Sequence, residues 1–129
     1  MALFTFQIAK GVISGPNGVE WHSVWSGHGE GINDPAAVDW KDIGPLPPGE
    51  YVCGPLESTH AVLGPFVMAL TRTDEGPDFG RGGFYIHGAS ALHPELSSDG
   101  CVIVPRAQRV AMDAAMTAAG DRGFLVIAG

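Results

Sequence analysis

At 129 residues, 45% of them hydrophobic, the chain is long enough for one buried core and short for two, so residues 1–129 are read as a single domain. The net charge of -7 comes from 7 basic and 14 acidic residues, and the scattered basic residues form no cationic patch, so neither nucleic acid nor an anionic membrane surface is an expected partner. Gly (19) and Pro (10) demand many turns and favour short strands over helices.

The amino-terminal MALFTFQIAK lacks the basic and long apolar regions of a signal peptide. No run approaches the roughly 18 apolar residues of a spanning helix. In Leu3–Ile8, Leu3, Thr5 and Gln7 alternate with Phe4, Phe6 and Ile8, which predicts a strand, and Val12-Ile13 follows. Ser14-Gly15-Pro16-Asn17-Gly18 is a turn cluster, and Val19–Trp25 returns as a second strand to complete a hairpin. Ser26–Asp42 carries Gly27, Gly29, Gly31, Asn33 and Pro35 and resists regular structure. Long irregular loops in compact domains are usually functional, so it is expected to wall a substrate groove.

Gly44–Gly49 is a stiff turn that launches a strand at Glu50–Cys53, and Pro65–Thr71 is a further apolar strand. The polar, Gly-rich stretch from Arg72 to Gly82 is a surface loop, in which Arg81 has the fork geometry to fix a carboxylate. His22, His28, His60, His87 and His93 lack zinc-like spacing, so no metal is expected. After a strand at Cys101–Val104, Pro105 opens a helix of about 14 residues that ends near Gly120. Ala107, Val110, Ala111, Ala114, Ala115 and Ala118 form one stripe at helical period, expected to pack closely on the sheet. Arg106 and Arg109 lie near its start and can point towards Cys101, and Gly123–Ile127 closes the chain as a strand. The fold class is mostly β: about eight strands and one C-terminal helix, in a β-sandwich or partly closed barrel.

The chemistry concentrates between Gly80 and Arg109. One apolar run ends in His87 and another begins at Cys101, 14 residues later, behind Gly100. A turn within Ala89–Asp99 folds the two together at a loop-closure cost on the order of a few kcal/mol. A cysteine attacks as thiolate, and its free pKa of about 8.5 leaves a few per cent ionised at neutral pH, so an adjacent imidazole that takes the proton activates it. Gly100 lets the backbone approach a bound carbonyl, and the Gly100 and Cys101 N–H groups are the candidate oxyanion donors. On count alone Cys53 and Cys101 are compatible with one disulfide. A lone strand Cys is more often a small buried hydrophobe. The combination of His-Gly, a loop rich in Ser, Gly and Pro, and Ser-x-Gly-Cys favours a nucleophile.

Ile86-His87-Gly88 followed by Ser98-Asp99-Gly100-Cys101-Val102 resembles the signature of YkuD-type L,D-transpeptidases, H-G, a loop, then S-H-G-C-I/V-R. It is closer still to compact relatives delivered as type VI secretion effectors, with S-x-G-C and an Arg a few residues on, here Arg106. Gly44-Pro45-Leu46-Pro47-Pro48-Gly49-Glu50-Tyr51 is similar to the P-x-G-x-F/Y turn of these enzymes, and Ser26-Gly27-His28-Gly29 with Asn33 and Pro35 resembles the effector branch. Asp99 stands where the larger family has a second His, and Ile103 where it has an Arg.

The resemblance implies a β-sandwich with Cys101 free on a central strand and Cys53 an ordinary strand residue. It implies Cys101 as nucleophile, His87 as base and later acid, Gly100 with Cys101 as the oxyanion hole, and Ser98 or a nearby backbone carbonyl orienting the imidazole. Arg106, Arg81, Gly88, Asp99 and His28 are then expected to bind substrate, and no cofactor is required. The substrate would be a peptidoglycan stem peptide: the thiolate attacks the carbonyl of the third stem residue and expels the terminal D-alanine. The acyl group passes to water (L,D-carboxypeptidase) or to an amine (exchange or cross-linking), and the paucity of elements for a closed lid favours hydrolysis and exchange. The implied setting is a toxin made in the bacterial cytoplasm and acting in a target cell's periplasm, with secretion machinery and a cognate immunity protein as partners. Two readings compete. In a papain-like or amidase fold Cys precedes His and opens a helix, the reverse of the order here. A non-catalytic wall-binding or structural module would carry the Cys–His pair inert.

Overall fold

A computed structural model describes residues 2–60, 63–89 and 98–129. Among these, nine strands make one sheet: β1 (Phe4–Gln7), β2 (Val12–Ser14), β3 (Glu20–Trp21), β4 (Trp25–Ser26), β5 (Gly49–Cys53), β6 (Met68–Arg72), β7 (Tyr85–His87), β8 (Val102–Ile103) and β9 (Gly123–Ile127). One α-helix, α1 (Arg106–Ala119), precedes β9. The strand order is β3-β2-β1-β9-β5-β6-β7-β8-β4. The β1–β9 and β7–β8 pairs are parallel and the others antiparallel.

The expected strand Val19–Trp25 is broken into β3 and β4, and the two pieces form opposite edges of the sheet. Nine flat strands at about 4.8 Å spacing would hold their edges about 38 Å apart. The four chain steps from Trp21 to Trp25 reach at most about 14 Å. The sheet therefore curls into a half-barrel, which decides between the two architectures the sequence left open. The extra edge strand also makes nine strands where about eight were expected. The β2–β3 hairpin turns through Asn17 and Gly18 at φ 61° and 75°, a left-handed pair that Asn and Gly tolerate best.

Alternation fills the interior. Phe4 and Phe6 of β1, Tyr51 and Cys53 of β5, Met68 of β6, Ile86 of β7, Val102 of β8 and Phe124 and Val126 of β9 join one core. The helix closes that core with a different face from the one expected. Met112 and Met116 are fully buried in it, whereas Val110 is 45% exposed and Ala107, Ala111, Ala114 and Ala118 are exposed as well. Free energy follows apolar area, and a methionine removes far more of it from water than an alanine, so the two methionines set the rotation of the helix. Met112→Ala is expected to cost about 2–5 kcal/mol in denaturant unfolding, whereas Ala114→Gln stays within about 0.5 kcal/mol. Equal effects would show that the helix packs through its alanines.

Candidate active site

Parallel pairing of β7 with β8 matches Ile86 to Val102 and His87 to Ile103. Paired residues share a face, so His87 and Ile103 lie opposite the core face that holds Ile86 and Val102, and Cys101 directly precedes β8, with its Sγ beside the Tyr85 N–H of β7. Cys101 thus stands at the start of the strand that pairs with the one ending in His87. The connection 90–97, with His93 and most of the expected turn, lies outside the described residues.

His87 is 4% exposed, and its Nδ1 lies 2.8 Å from the carbonyl oxygen of Gly88. A carbonyl only accepts, so Nδ1 carries the proton and Nε2 keeps its lone pair as a base. The orienting contact is thus the backbone carbonyl of Gly88. Burial lowers the pKa of His87, the Gly88 contact opposes this, and the nearby Arg109 cation lowers it further. Burial also pushes the Cys101 thiol up to about 11, although the Tyr85 N–H, 3.3 Å from Sγ, favours the anion. Both shifts favour the neutral thiol and imidazole over the thiolate expected from the sequence.

The turn before Cys101 is held by hydroxyls. β4 pairs with β8 through Trp25↔Ile103 and Ser26↔Val102, which sets Gly27 opposite Cys101. The hydroxyl of Ser98 stands between them, accepting from the Gly27 N–H at 2.8 Å and donating to the Cys101 carbonyl at 2.5 Å. It accepts from the Gly100 N–H as well, at 3.2 Å. Ser98 therefore fixes the nucleophile's backbone, while the imidazole is oriented by Gly88. Gly100 also loses its expected role as an oxyanion donor, because its N–H is engaged. What its position does require is a glycine: φ is +121°, and an added Cβ would lie 2.5 Å from the Arg81 guanidinium and 2.8 Å from the Phe84 ring.

The expected substrate ligands separate into anchors and exposed groups. Arg81 is 9% exposed, and its terminal nitrogens donate to the carbonyls of Val38, Pro45, Gly44 and Asp99 at 2.6, 2.6, 2.9 and 3.2 Å. Those contacts leave no fork for a carboxylate, so Arg81 ties the Val38–Pro45 stretch to the nucleophile turn. Gly88 orients His87 and leaves room for the Arg109 guanidinium, 2.7 Å from where a Cβ would stand. His28 donates Nδ1–H to the Ser98 carbonyl at 2.8 Å and lies 3.5 Å from the Asp99 carboxylate, which is largely exposed. Arg106 is exposed, with its guanidinium 3.9 Å above the Phe66 ring. Stacking leaves the N–H edge of an Arg open to a further acceptor.

Both cysteines are free, and Cys53 is buried on β5. Two clefts share Arg81, Gly82 and Phe84 in their walls. One of ≈ 370 Å³ is lined by Tyr51, Leu70, Arg72, Asp78 and Phe84 and reaches the site at Tyr85. The other, ≈ 230 Å³, is lined by Lys41, Asp42, Phe84 and Asp99.

Sequence reasoning undervalued two residues. Arg109 is 6% exposed and donates to the Pro65 and Phe66 carbonyls at 3.1 and 2.7 Å, so it joins that segment to the His87–Gly88 corner. Its i, i+3 spacing from Arg106 was visible, but not which of the two turns inward. Ser26 is fully buried and bonds Gly100 and Leu46, and its only sequence signal was its place before Gly27-His28-Gly29. A family model described as the Tlde1 domain matches residues 20–122, from β3 to the residue before β9. No curated protein and no solved structure matches the chain.

Proposed function

The chain belongs to the Tlde1 domain family and is a type VI secretion effector domain, and on that premise we propose that it is a cysteine enzyme acting on peptidoglycan stem peptides. The observation that supports the reading is the parallel pairing of β7 with β8, which sets Cys101 at the start of one strand beside the strand that ends in His87, with the His87 Nδ1–H held by Gly88 so that Nε2 keeps its lone pair as a base. The Cys101 Sγ attacks the carbonyl carbon of the third stem residue. As the C–S bond forms, the thiol proton passes to His87 Nε2 and the carbonyl oxygen becomes an anion. Because burial favours the neutral form of both groups, proton transfer accompanies attack and no resident thiolate is needed.

Collapse of the intermediate breaks the C–N bond, His87 returns the proton to the departing amine, and D-alanine leaves. Water or a second amine then attacks the thioester, and His87 takes its proton in turn. Hydrolysis and D-amino acid exchange are favoured over cross-linking, because short strands and surface loops offer few elements to exclude water. Action on stem peptides places the enzyme in the periplasm of the target cell.

The test is incubation of purified protein with tetrapeptide muropeptides, with and without a free D-amino acid, followed by mass spectrometry. Loss or exchange of the terminal D-alanine by the wild type and none by Cys101→Ala is the expected result. Muropeptides left intact by the wild type would remove the proposal, and dimers alone would replace hydrolysis and exchange with cross-linking.

A further inference from the structure

Ser26 occupies the last position of the two-residue edge strand β4, with no exposed surface, on the core side of the sheet beside Val102. Its hydroxyl accepts from the Leu46 N–H at 3.0 Å and donates to the Gly100 carbonyl at 2.8 Å. One oxygen thereby joins β4, the turn that launches β5 and the turn that presents Cys101. An alanine would fill nearly the same space, so the distinctive contribution of Ser26 is these two bonds to backbone groups.

The grip on Gly100 has a directional effect. The Gly100 carbonyl and the Cys101 N–H belong to one planar trans unit, in which C=O and N–H point in opposite directions. Drawing the carbonyl towards buried Ser26 therefore turns the Cys101 N–H away from the core. Gly100, at φ +121°, has no side chain to restrict how this peptide unit rotates, so its orientation depends on an outside partner. The neighbouring amide, the Gly100 N–H, is already bonded to Ser98. Of the two amides, that of Cys101 is left to meet an oxyanion formed at its own sulfur.

We propose that Ser26 is a positioning residue that aims the Cys101 N–H as the oxyanion donor of the site. The assignment rests on the acyl-transfer reading above and adds to it the group that makes the donor effective. Ser26 itself touches no reacting atom. Its loss should weaken stabilisation of a tetrahedral oxyanion and leave direct displacement at the sulfur unchanged.

Two thiol reagents separate these steps. A stem-peptide aldehyde, with CHO in place of the scissile carbonyl, adds the Cys101 sulfur to its carbon and holds an oxygen where the oxyanion forms. Iodoacetamide alkylates the same sulfur by displacing iodide and forms no oxyanion. Ser26→Ala is expected to weaken aldehyde binding by about 10- to 100-fold, with the alkylation rate of Cys101 at pH 9 unchanged within about twofold. Ser26→Thr, which keeps the hydroxyl, should recover most of the aldehyde affinity. Should Ser26→Ala not fold, Ser26→Cys keeps the volume and loses the strong donor, with alkylation mapped to Cys101 by mass spectrometry.

A parallel fall in both reactions would make Ser26 a general scaffold residue and overturn the proposal, and so would no change in either. If the wild type is alkylated at Cys101 yet does not bind the aldehyde, the acyl-transfer reading itself fails and the role of Ser26 falls with it.

Discussion

His87→Ala is expected to slow acyl-enzyme formation by about 10²–10⁴-fold, because Cys101 then keeps its proton in a half-buried site with no base beside it. The measurement is single-turnover release of D-alanine from a tetrapeptide across pH. In the wild type, burial holds the imidazole below its ordinary 6.5, so the base is competent at neutral pH and the rate falls only as pH drops through that lowered value. The variant should lose this acid limb. A wild-type limb at pH 7 or above would show a proton shared within a resident ion pair and overturn the neutral-pair mechanism.

The same shift has a stability consequence with a definite sign. The folded protein binds the His87 proton less readily than the unfolded chain, whose pKa is near 6.5. The contribution of His87 is thus fully present above that value and is lost as pH falls from it towards the lower folded pKa.

Arg81→Met should destabilise the fold by on the order of 3–5 kcal/mol, the largest effect expected outside the core. It keeps the aliphatic stem and removes the donors to the carbonyls of Val38, Gly44, Pro45 and Asp99. Domains are stable by only about 5–15 kcal/mol, so guanidinium unfolding should show a midpoint far below that of the wild type with a similar slope. Arg81→Lys should recover little, since one ammonium cannot span a fork of separate acceptors. A variant of normal stability that fails only to bind stem peptides would restore Arg81 to the substrate-binding role suggested by its sequence.

The contrast between Arg81 and β9 shows what the sequence could reveal. Gly123–Ile127 was legible to its ends because strand alternation is written in adjacent residues, and its burial follows that alternation. Helix α1 was legible because Pro105 and Gly120 bound it locally, and Gly120 adopts φ 65° as its left-handed cap. The acceptors of Arg81 lie as far as 43 residues away in the chain, and no spacing rule encodes them. The inward face of α1 was misjudged because periodicity counts apolar residues equally, whereas burial weighs them by area. His87 and Cys101 were singled out by residue type and motif, whereas the parallel pairing that sets their strands side by side is not written in any local spacing.

The interior position of β9 governs when the sheet can close. Last of the strands in chain order, it pairs with β1 on one side and β5 on the other. Until residues 123–127 emerge from the ribosome, the nascent polypeptide holds two separate half-sheets with a stave missing between them. Closure of the sheet therefore waits on the last of the described strands to be synthesised. A stop codon just before Gly123 would split the sheet into three strands and five while sparing every residue of the nucleophile turn.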